Sequence, residues 1–239
     1  MMQKDSRLPL YYQLMDSIVE KIDSGELKEH DKLPSERELC EMYNVSRTTV
    51  RQAMQELEKE HYIYKQHGKG TFVSAKTIDQ SLVKFYSFTE EMKKINKVPT
   101  TKVLAFEKVS SDASLAKRMR LSEGEELYKI TRLRLADEVP MLYEISYLPV
   151  AKFPDLKAET LQKQPMYTIF RDLYHVQITK AKERFRSVPT LPKEAGFLQI
   201  QEGEPSLLIE RLTFENDMVI EYTYTIARGD KFTYSVELT

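Results

Sequence analysis

Over the N-terminal part of the chain, apolar residues recur every three to four positions. Leu10, Leu14, Ile18 and Ile22 are spaced by four, with Met15 and Val19 beside them, so one amphipathic helix is predicted between Pro9 and Gly25. A short second helix starts at Ser35, whose hydroxyl forms a capping box with Glu38, and closes at Asn44. Ser46 caps a third. There Val50, Ala53, Met54 and Leu57 make one apolar stripe, while Arg47, Thr48, Arg51, Gln52 and Gln55 project from the other face. The period then changes to two. Tyr62-Ile63-Tyr64-Lys65 and Thr71-Phe72-Val73 read as hairpin strands around the tip His67-Gly68-Lys69-Gly70.

From Ser74 to Gln80 the chain is polar without a clear period, and a linker is assigned to 75–84 between domains at 1–74 and 85–239. Beyond it, alternation predicts strands near 101–109, 127–135, 141–148, 177–187, 206–214, 218–226 and 232–238. Helices fit around 87–95, 112–119, 167–174 and 192–199. Short turns such as Ala136-Asp137-Glu138 and Glu215-Asn216-Asp217 argue for an antiparallel sheet, with the helices on one side of it. The fold class is α+β: a winged helix-turn-helix followed by an antiparallel-sheet domain.

An internal repeat supports that sheet. Ala116, Leu121, Gly124 and Ile130-Thr131-Arg132-Leu133 match Ala195, Ile200, Gly203 and Ile209-Glu210-Arg211-Leu212 at a constant offset of 79. With two residues fewer in the second hairpin, Glu144 then aligns with Glu221. Two similar halves pairing into one sheet are predicted.

Composition narrows the classes. The chain has 239 residues and a formal net charge of −1, no apolar run of membrane-spanning length and no apolar core of a signal peptide at its start. One cysteine, Cys40, permits no internal disulfide and fits a cytoplasmic location. Net charge does not announce DNA: residues 1–75 hold eleven Lys and Arg against thirteen Asp and Glu. The placement of the cations does, because Arg37, Arg47, Arg51, Lys65 and Lys69 cluster in the turn motif and hairpin.

Those positions carry the candidate chemistry. Arginine at the start of a recognition helix forks onto guanine or clamps a phosphate, and Thr48, Thr49 and Gln52 suit either contact. Gly68 and Gly70 around Lys69 permit positive φ and close approach of backbone to a groove. In the second domain Arg132 and Arg134 alternate onto one strand face, about 7 Å apart, which suits a shared dianion. Thr213 replaces Arg134 in the repeat, so only one half keeps the pair. Ser87-Phe88-Thr89 reads as a capped helix start able to hold the same anion.

Leu33-Pro34-Ser35-Glu36-Arg37, Val45-Ser46-Arg47-Thr48-Thr49-Val50-Arg51 and Gly68-Lys69-Gly70-Thr71-Phe72-Val73 resemble the signature of the GntR family of bacterial repressors over residues 8–74. The resemblance implies operator contacts by Arg37, Arg47 and Arg51 and a wing at Gly68 entering the minor groove. Roughly residues 82–235 resemble the ligand-binding UTRA domain of the HutC branch, with its chorismate-lyase-like fold, and most of all its N-acetylglucosamine-utilisation repressor type. That likeness implies Ser87, Phe88, Thr89, Arg132 and Arg134 for a phosphate and Glu144 and Glu221 for a sugar. Two positions depart from the type: Pro165 stands where a serine is common, and Ala227 where a tyrosine can contact ligand.

The reading is a homodimeric repressor on a palindromic operator, controlled by a phosphorylated sugar, such as an amino-sugar 6-phosphate. Two rivals stay open. A regulator answering another small molecule or none would fail to bind sugar phosphates. An enzyme of lyase type would use Glu144 and Glu221 as acid and base. Against it, His30, His61, His67 and His175 lack metal spacing, and no nucleophile–base pair or phosphate-loop motif occurs. No cofactor, metal or membrane partner is expected.

Overall fold

The computed structural model describes residues 8–74, 78–81 and 87–235. Its backbone divides into two compact units, Met1–Thr77 and Ile78–Thr239.

In the first unit α1 (Leu10–Asp23), α2 (Glu36–Tyr43) and α3 (Arg47–Lys59) close on one apolar cluster that includes Leu14, Ile18, Leu39, Val50 and Leu57. The antiparallel hairpin of β1 (Ile63–Gln66) and β2 (Gly70–Val73) adds Ile63 and Val73 to it. Local chemistry sets the turn between α2 and α3. Ser35 and Glu38 form the capping box, the Glu38 carboxylate accepting from the Ser35 backbone N–H at 2.7 Å. Asn44 takes a left-handed φ of 51°, ending α2, and the Ser46 hydroxyl then accepts from the Thr49 N–H at 3.1 Å to start α3.

The second unit runs β3 (Ile78–Ser81), α4 (Phe88–Lys94), β4 (Pro99–Ser110), α5 (Ala113–Met119), β5 (Glu126–Ala136), β6 (Val139–Pro149), α6 (Ala158–Lys163), α7 (Met166–Tyr174), β7 (Lys180–Pro189), α8 (Pro192–Leu198), β8 (Pro205–Glu215), β9 (Met218–Arg228) and β10 (Phe232–Ser235). Six strands form an antiparallel sheet in the order β4-β5-β6-β9-β8-β7. The repeat is visible in that order. The halves β4-α5-β5-β6 and β7-α8-β8-β9 join through β6 and β9, where the equivalent residues Ser146 and Thr223 are register partners. A local two-fold axis therefore passes between these two side chains.

Two expectations need correction, and one further element appears. Helices cover both faces of the sheet, not one. Leu133 and Leu135 pack with Leu198 of α8, whereas Tyr128 and Ile130, on the opposite side of the same strand, pack with Leu161 of α6 and Phe170 of α7. Strands buried on both faces lose the clean alternation of apolar and polar residues that marks a half-exposed sheet. Within the stretch assigned to a linker, 78–81 is a strand, paired in parallel with β10. Its polar residues give no alternation, and the ladder to β10 supplies the order. Residues 75–77 and 82–84 of that stretch lie outside the described residues, as do 236–238 of the last expected strand. Helix α6 was not foreseen, because six residues with one fully buried apolar position, Leu161, are too short to show a period. Among the described residues no helix is long and apolar enough to cross a membrane.

Candidate functional site

The first candidate surface lies on the winged unit. Because the apolar stripe of α3 is buried, Arg47, Thr48, Arg51 and Gln52 are left exposed on its outer face. Thr49 is half-buried, and its hydroxyl lies 2.8 Å from Ser46 Oγ, so its first duty is the helix cap. Arg37 on α2 is exposed and pairs with Glu41 one turn on, Nε to Oε1 at 3.1 Å; Arg51 lies 3.8 Å from Glu36. At the hairpin Lys65, His67, Gly68, Lys69 and Gly70 are all exposed, with φ of +73° at Gly68 and +127° at Gly70. Lys65 is 2.6 Å from Glu58. Such exposed pairs are weak, so phosphates can replace the carboxylates with little loss. Helix and hairpin together present cations on a rigid frame suited to a groove of duplex DNA.

The second candidate site is a partly enclosed cavity in the other unit, on the sheet face that also carries α4 and α7. Strand register builds it. Arg132, Glu144 and Thr225 lie side by side across β5, β6 and β9, and Arg134 follows two residues along the same face. Glu144 Oε2 sits 3.1 Å from Arg132 Nη2 and 3.3 Å from Arg134 Nη1. Arg134 also donates to Thr89 Oγ1 at 2.9 Å, and its guanidinium lies 4.8 Å from the centre of the Phe88 ring. Ser87 caps α4, accepting from Glu90 N–H at 3.3 Å. Arg132 donates to Ser146 Oγ at 3.1 Å. Thus the two arginines, Glu144 and the Ser87-Phe88-Thr89 turn, remote in sequence, line one cavity.

Burial tunes the charges. Arg132 and Arg134 are only 3% and 7% exposed. Burial lowers the pKa of Arg134, and the neighbouring Glu144 carboxylate partly offsets it. For Glu144 burial pushes the carboxyl up, but Arg132, then Arg134 and Arg211, outweigh it and hold the pKa below its ordinary 4.5. One shared carboxylate oxygen does not saturate the pair: Nε of both arginines is buried without a hydrogen-bond partner among the described residues.

The other end of the cavity is an acid–arginine–tyrosine chain that sequence reasoning missed, apart from Glu221. Arg211 Nε donates to Glu183 at 2.6 Å, and its Nη1 to the Tyr167 hydroxyl at 3.0 Å. That hydroxyl donates to Glu221 Oε2 at 2.9 Å, which also accepts from Thr213 at 2.6 Å, while Thr223 donates to Oε1 at 2.7 Å. Burial pushes the Tyr167 phenol well above its usual value, so it stays a donor at neutral pH. The repeat held the signal: Arg211 is the counterpart of Arg132, and Thr213 donates to Glu221 as Arg134 does to Glu144. Of the two departures from type, Pro165 lines the cavity at the start of α7, and Ala227 is fully buried in an apolar cluster with Leu142 and Ile209. Among the described residues no group of three or more His, Cys, Asp or Glu is placed to hold a metal.

A winged helix-turn-helix that reads duplex DNA, followed by a separate unit with a buried small-molecule pocket, defines a ligand-controlled regulator of transcription. The family model for bacterial regulatory proteins of the gntR family matches residues 10–73, and that for the UTRA domain matches 94–233. The HTH-type transcriptional repressor NagR of Bacillus subtilis is 35% identical over 232 residues, covering 97% of this chain and 95% of that protein. The mannosyl-D-glycerate transport/metabolism system repressor MngR of Escherichia coli is 28% identical over 231 residues, 95% of each chain. The crystal structure of PhnF from Mycobacterium smegmatis superposes with a TM-score of 0.73 at 24% identity, over 97% of this chain and 99% of that one, a likeness of fold. The chain belongs to the GntR family, in its HutC branch with a UTRA domain, and is a transcriptional repressor of that type.

Proposed function

We propose that the chain works as a homodimer on a palindromic operator and that a phosphorylated sugar, an amino-sugar 6-phosphate, sets its operator affinity. The observation that carries the ligand class is the buried Arg132–Arg134 pair, whose Nε donors lack partners. A phosphate dianion has the oxygens to take these donors, and the Thr89 hydroxyl and the turn at Ser87 lie beside them. The polar far end, with Glu221, Thr223 and Tyr167, suits sugar hydroxyls and an amine. The sugar derivative in the name of MngR agrees with a carbohydrate effector.

One winged helix touches few phosphates, so tight specific binding calls for two copies on a palindrome. The sheet face away from the cavity, where Ile145, Tyr147 and Tyr224 stay half-buried, is the surface we assign to the second copy. Ser87 follows the winged unit by a short stretch of chain, so closing the turn on a phosphate changes the tether of the recognition helix. Isothermal calorimetry tests the ligand class: glucosamine 6-phosphate should bind and glucosamine should not, and Arg132→Ala or Arg134→Ala should abolish binding. Equal binding of both sugars would remove the phosphate from the reading.

A further inference from the structure

We propose that Glu144 is the resident counter-ion of the cavity, which an incoming anion must displace from Arg132 and Arg134, and that this displacement makes the site select phosphate esters rich in hydrogen-bond donors over bare inorganic anions. The proposal deepens the sugar-phosphate reading and rests on it for the identity of the preferred ligand.

Three observations carry it. First, Glu144 is placed by the sheet itself, opposite Arg132 in register, with Oε2 at 3.1 Å and 3.3 Å from the two guanidiniums. It already holds the position an anion would take. Second, the free pocket is balanced in charge: Arg132, Arg134 and Arg211 face Glu144, Glu183 and Glu221. A dianion entering this formally neutral set, in which Arg132, Arg134, Glu144 and Glu221 are buried and Arg211 and Glu183 part-buried, leaves two negative charges in excess, and the nearest of the existing ones is the Glu144 carboxylate. Third, the balance of charge is not a balance of hydrogen bonds, because both Nε atoms lack acceptors while one carboxylate oxygen serves two cations.

The consequence is a conditional site. A tetrahedral anion gives the arginines more acceptors than Glu144 does, yet it drives a buried carboxylate off both of the cations that hold it, which is unfavourable. Sulfate brings no donor to capture that carboxylate. A sugar phosphate brings several hydroxyls, or an ammonium, on the same molecule. Glu144 thereby disfavours donor-free anions such as sulfate at arginines that would otherwise bind them without discrimination.

Titration of the full chain with sodium sulfate and with glucosamine 6-phosphate, for wild type and Glu144→Gln, tests this. Sulfate should bind Glu144→Gln at least tenfold more tightly than wild type, and glucosamine 6-phosphate should bind the variant more weakly. Equal sulfate affinity in the two proteins would overturn the proposal. If Glu144→Gln does not fold, the wild type decides by thermal shift: sulfate should stabilise it far less than glucosamine 6-phosphate at the same concentration, and equal stabilisation would refute a barrier to bare anions. A gain of sulfate binding in the variant with no glucosamine 6-phosphate binding to wild type would instead count against the sugar-phosphate reading alone.

Discussion

Arg47 and Arg51 sit one turn apart on α3, yet their surroundings differ. Arg51 has Glu36 at 3.8 Å, whereas Arg47 makes no ion pair among the described residues. Arg47 is therefore ready for a base edge, and Arg47→Ala should weaken operator binding by about 1–3 kcal/mol if the contact is bidentate to guanine. Lys69→Ala should weaken every DNA sequence alike and flatten the dependence on salt; fluorescence anisotropy over a salt series reads both effects. A second residue-scale prediction concerns pH. The folded pKa of Glu144 lies below its ordinary 4.5, so its contribution to stability is present above that value and is lost as pH falls through the lower folded one. The stability difference between wild type and Glu144→Gln, from denaturant unfolding, should shrink on acidification below pH 4.5. Residue chemistry was legible where it recurs locally: the Arg132–Arg134 alternation and the Ser87 cap are patterns of near neighbours. The Glu144 bridge, the Arg211–Glu183 pair and Tyr167 were not, because their partners meet only through strand register and through α7 docking on the sheet.

At the scale of elements, the hairpin of the winged unit depends on a conformation that glycine alone adopts readily. Gly70 has φ of +127°, and a Cβ there would fall 2.7 Å from Cε of Lys32. The lysine end is flexible and can move; the backbone angle cannot be relieved so easily. Gly70→Ala should destabilise the protein by about 1 kcal/mol or somewhat more, measured by urea unfolding, and should weaken DNA binding through a displaced hairpin tip. Loss of the Ser46 cap offers a parallel test, with Ser46→Ala costing about 1 kcal/mol in the same assay. Elements with caps or a sustained period were legible within a few residues: α2 between Ser35 and Asn44, and β5 and β6 around their short turn. Elements that owe their order to distant pairing were hidden, as β3 shows by needing β10. The two-sided burial of the sheet was hidden too. Periodicity reports which side chains share a face, and Leu133 and Ile130 are both apolar on opposite ones.

Across the whole molecule the repeat explains why a single pocket has two unlike ends. The local two-fold through Ser146 and Thr223 sets Arg132, Arg134 and Glu144 against Arg211, Thr213 and Glu221. Replacement of one arginine by Thr213 breaks the symmetry and leaves a single arginine pair, the half assigned to the anion. Control of DNA binding from that pocket is a coupling free energy, and coupling is reciprocal: whatever factor the ligand imposes on operator affinity, the operator must impose on ligand affinity. The decisive measurement is the affinity of the full chain for glucosamine 6-phosphate, with and without a saturating duplex selected by the protein from a random pool. The two affinities should differ, and by the same factor as the operator affinities measured with and without ligand. Identical ligand affinities in the presence and absence of operator would contradict control of transcription through this pocket.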